Sequence, residues 1–151
     1  LKSLDLSNTQ VSDLTPLSKL VELKKLDCSN TQVSNVSPLS GRPYLFELYL
    51  DDTQVRDLSL LSGSHVIDLH LSGSRIADLS SLSGLGHLKA LFLNRTDVAD
   101  LSPLTHLERL LVVRVKDTPV TDKEIATLQK ALPKCTISRQ PDEPTTDRWS
   151  Q

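Results

Sequence analysis

The sequence predicts an α/β solenoid: a right-handed arc with a parallel β-sheet on its concave side, short helical turns on its convex side and a capping helix at its C-terminal end. Three observations predict it. A unit of about 22 residues recurs along most of the 151-residue chain. Each unit opens with apolar residues that alternate over a few positions, which is typical of a short strand with one buried face. Each unit then carries a helix-start signal, so the chain returns one layer further on and the strands stack in parallel.

The repeat is visible when the chain is written from each leading apolar residue. Five units read LKSLDLSNTQVSDLTPLSKLVE (1–22), LKKLDCSNTQVSNVSPLSGRPY (23–44), LFELYLDDTQVRDLSLLSGSH (45–65), VIDLHLSGSRIADLSSLSGLGH (66–87) and LKALFLNRTDVADLSPLTHLER (88–109). A sixth starts at residue 110 and changes character halfway, and the third is one residue shorter than the others. Apolar residues at unit positions 1, 4 and 6 are predicted to build the core. The pattern weakens at residues 41–44, where Arg42 replaces an apolar residue and Tyr44 is expected to help fill the gap.

Polar residues punctuate each unit after its strand. A hydroxyl at unit position 9, such as Thr31, is predicted to bond backbone groups at the turn. Residues suited to cap a helix N-terminus follow at Thr15, Ser37, Ser59, Ser80 and Ser102. Proline comes next in three units, at the first helical position, where the missing N–H costs nothing. We therefore predict a single helical turn, of 3₁₀ type where space is short, on the convex side of each unit.

The two ends of the chain differ. At the C-terminal end, Thr121 and Glu124 have the spacing of a capping box, and Ile125, Leu128 and Leu132 follow at helical spacing. A helix of about ten residues is predicted there, ended by Pro133 and followed by a last strand at residues 135–137. Residues 138–151, which include Trp149, are polar and rich in proline and are expected to be a disordered tail. At the other end, Leu1 opens directly in a strand without a cap or an initiating Met, so we expect the chain to be a fragment.

The consensus LxxLxLSxTxVSDLSPLSxL resembles the bacterial-type 22-residue leucine-rich repeat of the internalin family. The resemblance covers about residues 1–137, which it implies to be one leucine-rich repeat domain. Proteins of that family normally carry a helical cap before the first repeat, and this chain shows none. The repeat is a scaffold used for many partners, so the resemblance implies a fold more firmly than a function.

Unit positions 3, 5 and 7 are predicted to project from the concave sheet in rows about 5 Å apart. Position 5 places three rings in consecutive units, and charged residues surround them. The predicted partner-binding residues are Tyr49, His70, Phe92, Arg114, Glu47, Asp68 and Asp27. An aromatic centre with a charged rim, acidic on one side and basic on the other, is the usual anatomy of a protein-binding patch. The alternative is that the rings only stack on each other and stabilise the sheet.

The sequence contains few residues that could catalyse a reaction or bind a metal ion. No GxSxG elbow, P-loop or HExxH motif occurs, so we predict no catalytic residue, no cofactor and no enzymatic activity. Glu47, Asp68 and His70 could converge as metal ligands, which is a minor alternative. His65, His87 and His106 are expected on the convex side or in connections, exposed to solvent. Cys28 and Cys135 fall where the repeat needs a small core residue and are predicted to be structural.

The charge and hydropathy of the chain indicate which classes of partner to expect. The net charge is −2, with both signs spread along the chain, which gives no indication of nucleic acid or an anionic membrane. No apolar run is long enough to span a bilayer, and no signal peptide opens the chain, which favours a cytoplasmic location unless a longer protein carries the signal. We predict a monomeric module that binds another protein. The alternative is the substrate-recognition segment of a larger enzyme, such as an effector ligase or a kinase.

Overall fold

The computed structural model describes residues 1–142, in which seven strands form one open parallel sheet in chain order. The strands are β1 (Ser3–Asp5), β2 (Lys25–Asp27), β3 (Glu47–Tyr49), β4 (Asp68–His70), β5 (Ala90–Phe92), β6 (Val112–Arg114) and β7 (Thr136–Ser138). Equivalent positions of successive units pair with each other: Leu26 faces Leu48, and Leu48 faces Leu69. The predicted leucine-rich repeat solenoid is confirmed.

The core lies between this sheet and the convex side. It is built from the leucines and valines that recur at equivalent positions, and the middle residues of β2 to β5 are fully buried. Cys28 and Cys135 lie in the same core as free thiols. Burial raises the pKa of Cys28 to about 12 and that of Cys135 to about 11, so neither thiol ionises near neutral pH. Their predicted structural role is confirmed.

A tight turn follows each of the strands β1 to β6, and in five of these six turns the hydroxyl at unit position 9 closes it as predicted. The exception is Ser74, whose buried hydroxyl has no hydrogen-bond partner among the described residues. Thr31 Oγ1 donates to the carbonyl oxygen of Cys28 at 2.7 Å, and Thr96 Oγ1 donates to that of Leu93 at 2.6 Å. The preceding residue has a left-handed backbone in six successive turns: Asn8, Asn30, Asp52, Gly73, Arg95 and Asp117. Asn, Asp and Gly tolerate this conformation best, which explains their preference for the position.

Five 3₁₀ helices occupy the convex side, at Thr15–Lys19, Ser37–Leu39, Ser59–Leu61, Ser80–Gly84 and Ser102–Leu104. Each begins at a residue predicted as an N-cap, but that residue is the first of the helix and its hydroxyl caps nothing. The N-cap prediction is wrong. A side-chain oxygen two residues earlier accepts the N–H instead, as Asp13 Oδ1 does from Thr15 at 2.8 Å. A carboxylate is a stronger acceptor than a hydroxyl and reaches the N–H two residues on in an Asx turn.

At residues 41–44, where the repeat pattern weakens, Arg42 and not Tyr44 packs into the interior. Arg42 is buried, and its guanidinium donates to the carbonyl oxygens of Leu17, Leu20 and Pro38. Tyr44 instead is 51% exposed. A single arginine thus adds a donor to three carbonyl groups at the seam between two units, and those of Leu17 and Leu20 also accept a backbone N–H.

The C-terminal helix closes the stack. Helix α1 (Asp122–Ala131) begins as predicted, with Thr121 Oγ1 accepting the N–H of Glu124 at 3.2 Å. The reciprocal half of the capping box does not form, because Glu124 Oε2 accepts the N–H of Leu101 at 3.0 Å. The glutamate therefore ties the cap to the last 3₁₀ helix rather than to its own helix.

Residues 138–142, the described part of the predicted tail, lie against the solenoid. Ser138 ends β7, and Arg139 donates to Asp122 Oδ1 at 2.7 Å and to the carbonyl oxygen of Val120 at 3.0 Å. Trp149 and the rest of that tail lie outside the described residues, so the domain boundary at residue 138 stays a prediction.

Candidate functional site on the concave face

Three aromatic rings lie side by side on the concave side of the sheet, and we call them the aromatic row: Tyr49, His70 and Phe92. They end β3, β4 and β5, and the strand register pairs them directly. The ring centroids of Tyr49 and His70 lie 4.2 Å apart with their planes inclined by 28°, and those of His70 and Phe92 lie 4.1 Å apart with their planes inclined by 12°. Neighbouring strands are about 4.8 Å apart, so the register alone brings the rings to stacking distance. The arrangement agrees with the sequence analysis, while a role in binding stays a prediction.

The aromatic row is buried. Phe92 is 0% exposed, and Tyr49 and His70 are each 2% exposed. Two of the charged residues predicted to surround it, Asp68 and Arg114, are buried as well. Stacked aromatic pairs contribute roughly 0.5–1.5 kcal/mol beyond their buried area. The rings therefore stabilise the sheet, as the alternative reading of the sequence expects, and offer little surface in this state.

Two carboxylates flank the imidazole of His70. Its Nε2 lies 3.0 Å from Asp68 Oδ1, and its Nδ1 lies 3.7 Å from Asp51 Oδ2. Asp51 also accepts the N–H of Ser72 at 2.7 Å. Burial raises the pKa of Asp51 to about 6, although His70 and the Ser72 N–H act in the opposite direction. The middle of the face is thus an imidazole ring between two carboxylates.

The metal alternative is not supported. Residues 1–142 contain no group of three His, Cys, Asp or Glu side chains that could hold a metal ion. Glu47, one of the three proposed ligands, is engaged elsewhere: its Oε2 accepts the hydroxyl of Tyr49 at 3.0 Å and lies 3.3 Å from Lys25 Nζ. The physical reason is that a neighbouring cation and hydroxyl satisfy this carboxylate.

Accessible residues of the concave face near the aromatic row lie on β1, where Ser3 and Asp5 are exposed, on β2, and at the start of β3. Lys25 Nζ lies 5.1 Å from the centre of the Tyr49 ring, within the range of a cation–π contact. Asp27 is half-buried, and its Oδ1 accepts the N–H of Ser29 at 2.9 Å. Burial raises the pKa of Tyr49, so its hydroxyl remains a donor to Glu47 at neutral pH. We call Lys25, Asp27 and Glu47 the charged rim.

A second set of contacts edges the face where β5 and β6 end. Asn94 Oδ1 accepts the N–H of Lys116 at 2.6 Å, and Asn94 Nδ2 donates to Gln140 O at 3.0 Å and Asp142 Oδ1 at 2.8 Å. Sequence reasoning missed this role of Asn94, because no local signal links a residue to partners 46 and 48 positions further on. Nearby, Arg95 Nη1 pairs with Asp52 Oδ1 at 3.0 Å, so part of the predicted basic side is neutralised.

Comparison with known proteins extends the evidence for the repeat. The family described as Leucine Rich repeats (2 copies) matches residues 1–41. No curated protein matches the chain in sequence. An internalin, inlF, from Listeria monocytogenes is similar in structure, with 20% identity, a TM-score of 0.80, and coverage of 95% of this chain and 48% of that one.

Two further solved structures share the fold. A leucine-rich repeat protein from Leptospira interrogans has 23% identity and a TM-score of 0.81, over 91% of this chain and 37% of that one. Internalin C2 from Listeria monocytogenes has 29% identity and a TM-score of 0.71, over 91% of this chain and 71% of that one. The chain thus spans less than half the length of the first two. Within residues 1–142, no helix is both long and apolar enough to cross a membrane.

Proposed function

We propose that the chain is a non-enzymatic module that binds another protein across its concave face, a role for which its leucine-rich repeat fold is suited. The single observation that carries this proposal is the contrast between two neighbouring strand positions. The middle residue of each of the first six strands is a leucine or valine, whereas the last residue, on the concave side, is of five different types in six units: Asp5, Asp27, Tyr49, His70, Phe92 and Arg114. Constant core positions maintain the fold, and the positions that vary on the concave side are free to specify a partner.

The burial of the aromatic row changes which residues make first contact. The predicted binding residues Tyr49, His70, Phe92, Arg114 and Asp68 are buried, so a partner meets the less buried charged rim of Lys25, Asp27 and Glu47, with the exposed Asp5 beside it. Two of its three side chains are acidic. An exposed acidic rim increases the association rate of a partner with a basic segment and contributes to specificity.

The test is a pair of matched double variants. A peptide selected from a displayed random library against the full chain serves as the probe, and its affinity is measured by calorimetry. We expect Asp27→Asn with Glu47→Gln to weaken binding roughly tenfold, about 1.4 kcal/mol, because the rim loses both negative charges. Asn and Gln keep the acceptor oxygens that Ser29 and Tyr49 use.

The control removes the same number of charges on the convex side. Asp57→Asn with Asp78→Asn leaves equivalent acceptors for Ser59 and Ser80 and should leave the affinity within about twofold. Equal losses in both double variants, or no loss in either, would place the peptide elsewhere and refute a concave site.

A further inference from the structure

The side of the sheet where the strands begin exposes apolar side chains, and we call it the entry edge: the last two residues and the first two residues of each unit. Where the strands end, by contrast, buried hydroxyls such as those of Thr31 and Thr53 close the turns. Five large hydrophobic side chains are exposed among residues 1–142, and four of them belong to the entry edge: Leu1, Val21, Tyr44 and Leu111.

The entry edge also differs in charge from the chain as a whole. Its formal charge is +2 with histidine neutral, against −2 for the whole chain, because it holds four cations and two carboxylates: Lys2, Lys24, Lys89, Arg109, Glu22 and Glu108. Lys2 and Lys24 face each other on neighbouring units, since the N–H of Lys24 donates to the carbonyl oxygen of Lys2 at 2.7 Å. Within residues 1–142 neither ammonium group forms an ion pair. Like charges that face each other across strands repel, so this pair favours a bound anion.

Backbone hydrogen bonds align unit position 2 along the entry edge. The N–H of each of these residues donates to the carbonyl oxygen of its equivalent one unit earlier, at 2.7–2.9 Å. Two half-buried apolar side chains therefore lie between cations in the order Lys2, Lys24, Phe46, Ile67, Lys89 and Leu111.

A cavity of about 300 Å³ opens at the lysine end of this row. It is lined by Lys2, Glu22, Lys24 and the exposed ring of Tyr44. Two ammonium groups beside a phenol ring, with one carboxylate among them, suit a side chain that carries a negative charge next to an apolar one.

We propose that the entry edge is a second interaction surface, which binds an acidic and partly apolar segment of another protein. An apolar centre flanked by charges is the usual anatomy of a protein-binding patch. Lys24 and Lys89 are three strand spacings apart, about 14 Å, which an extended peptide covers in about four residues. Carboxylates about four positions apart would thus reach both cations, with an apolar side chain between them over Phe46 and Ile67. Nucleic acid is a poorer match, because its phosphates repeat without apolar groups between them.

The test starts from a displayed library of random peptides that is selected on the full chain, and the enriched peptides are sorted by charge. We expect an acidic class with carboxylates about four positions apart around an apolar residue. Lys2→Gln with Lys24→Gln should weaken the binding of this class roughly tenfold in calorimetry, and Tyr44→Ser should weaken it several-fold. Both lysines and Tyr44 are exposed, so urea unfolding of these variants should match that of the original chain.

The matched control removes two exposed cations from a different cleft. Arg56 and Arg75 belong to neighbouring units and line a cavity of about 600 Å³ together with Asp78 and Asp97. Arg56→Gln with Arg75→Gln should leave the affinity of the acidic peptides within about twofold.

Each outcome decides the proposal. The absence of an acidic class, or equal losses in the lysine and arginine variants, overturns it. Tighter binding to vesicles of phosphatidylcholine and phosphatidylserine, or to a DNA duplex, that the lysine variant loses overturns it in favour of a lipid surface or nucleic acid. A dimer in sedimentation that the lysine variant abolishes overturns it in favour of a second copy. The proposed function is tested separately, because Asp27→Asn with Glu47→Gln should not weaken the binding of the acidic class.

Discussion

The solenoid carries two rows of rings, one on each side, and they differ in almost everything except their spacing. On the concave side, the aromatic row is buried and its rings stack with centroids 4.1–4.2 Å apart. On the convex side, His65 and His87 are exposed, as the sequence predicts, and meet edge to face with centroids 4.7 Å apart. We call these two histidines the convex row. Their Nδ1 atoms lie near other groups of the back, the carbonyl oxygen of Pro43 at 2.9 Å and Arg109 Nη1 at 3.2 Å.

The two rows show that aligned rings do not by themselves stabilise the folded state. The repeat aligns equivalent residues on both sides, so a row of rings forms wherever successive units carry them at one position. Only the concave row combines alignment with burial, and burial is what converts contact into free energy of folding. Ring contacts on the convex side are screened by water and contribute little.

The largest expected effect breaks the concave row. Phe92→Ala should lower the free energy of unfolding by about 3–5 kcal/mol, because it removes a fully buried ring and leaves a cavity beside His70. His87→Ala, its counterpart in the convex row, should change it by less than about 0.5 kcal/mol. Urea unfolding followed by circular dichroism measures both. Comparable losses in the two variants would contradict the distinction between buried and exposed rows.

A smaller effect is expected beside the concave row, at the turn after β4. Gly73 has φ of +71°, and an added Cβ would lie 2.0 Å from Asp52 Oδ1, so Gly73→Ala strains the backbone and displaces a carboxylate that pairs with Arg95. We expect a loss of roughly 2 kcal/mol, mostly from the left-handed backbone, since the displaced ion pair is exposed. Gly86→Ala, with open space around the added Cβ, should be nearly neutral when both variants are compared by urea unfolding.

The smallest effect depends on pH and tests the carboxylates around His70. The folded pKa of Asp51 is about 6, above its ordinary value of 3.8, so the folded state holds the proton more firmly than the unfolded state. Ionisation of Asp51 therefore lowers the free energy of unfolding as pH rises from about 4 to 6, and the full decrease is reached above that range. Asp51→Asn keeps an acceptor for Ser72 and should gain about 1–2 kcal/mol at pH 7 but nothing near pH 4.

The control for this pH dependence is a carboxylate on the convex side. Hydrogen bonds from Ser59 lower the pKa of Asp57, so its contribution is present above its unfolded pKa and is lost as pH falls. Asp57→Asn should therefore show no gain at pH 7 in urea unfolding across the same pH series. A gain of equal size in both variants would show that the effect is general charge repulsion rather than burial of Asp51.

The two sides also explain how far the sequence could predict the molecule. Leu48 and Thr31 follow from periodicity, because every unit repeats the same local demand for a buried apolar residue and for a hydroxyl at the turn. The aromatic row follows from register alone. The burial of Phe92 does not, because it depends on what lies over the sheet, and neither does the contact of Asn94 with residues 140 and 142, because the repeat carries no information about the chain beyond its end. The N-cap prediction failed for a different reason, since the helix already begins at Thr15 and the carbonyl oxygen of Leu14 accepts the N–H of Leu17.

The third unit is one residue shorter than the others, yet the pairing of its strand with the next is unchanged. Tyr49 and His70 are 21 residues apart, whereas His70 and Phe92 are 22 apart, yet both pairs face each other across neighbouring strands. The missing residue is absorbed on the convex side, around Gly63, so the concave rows stay in step. Length changes on the back therefore leave the order of side chains on the front unaltered. A lineage can gain or lose residues in the connections while selection acts on the front one position at a time.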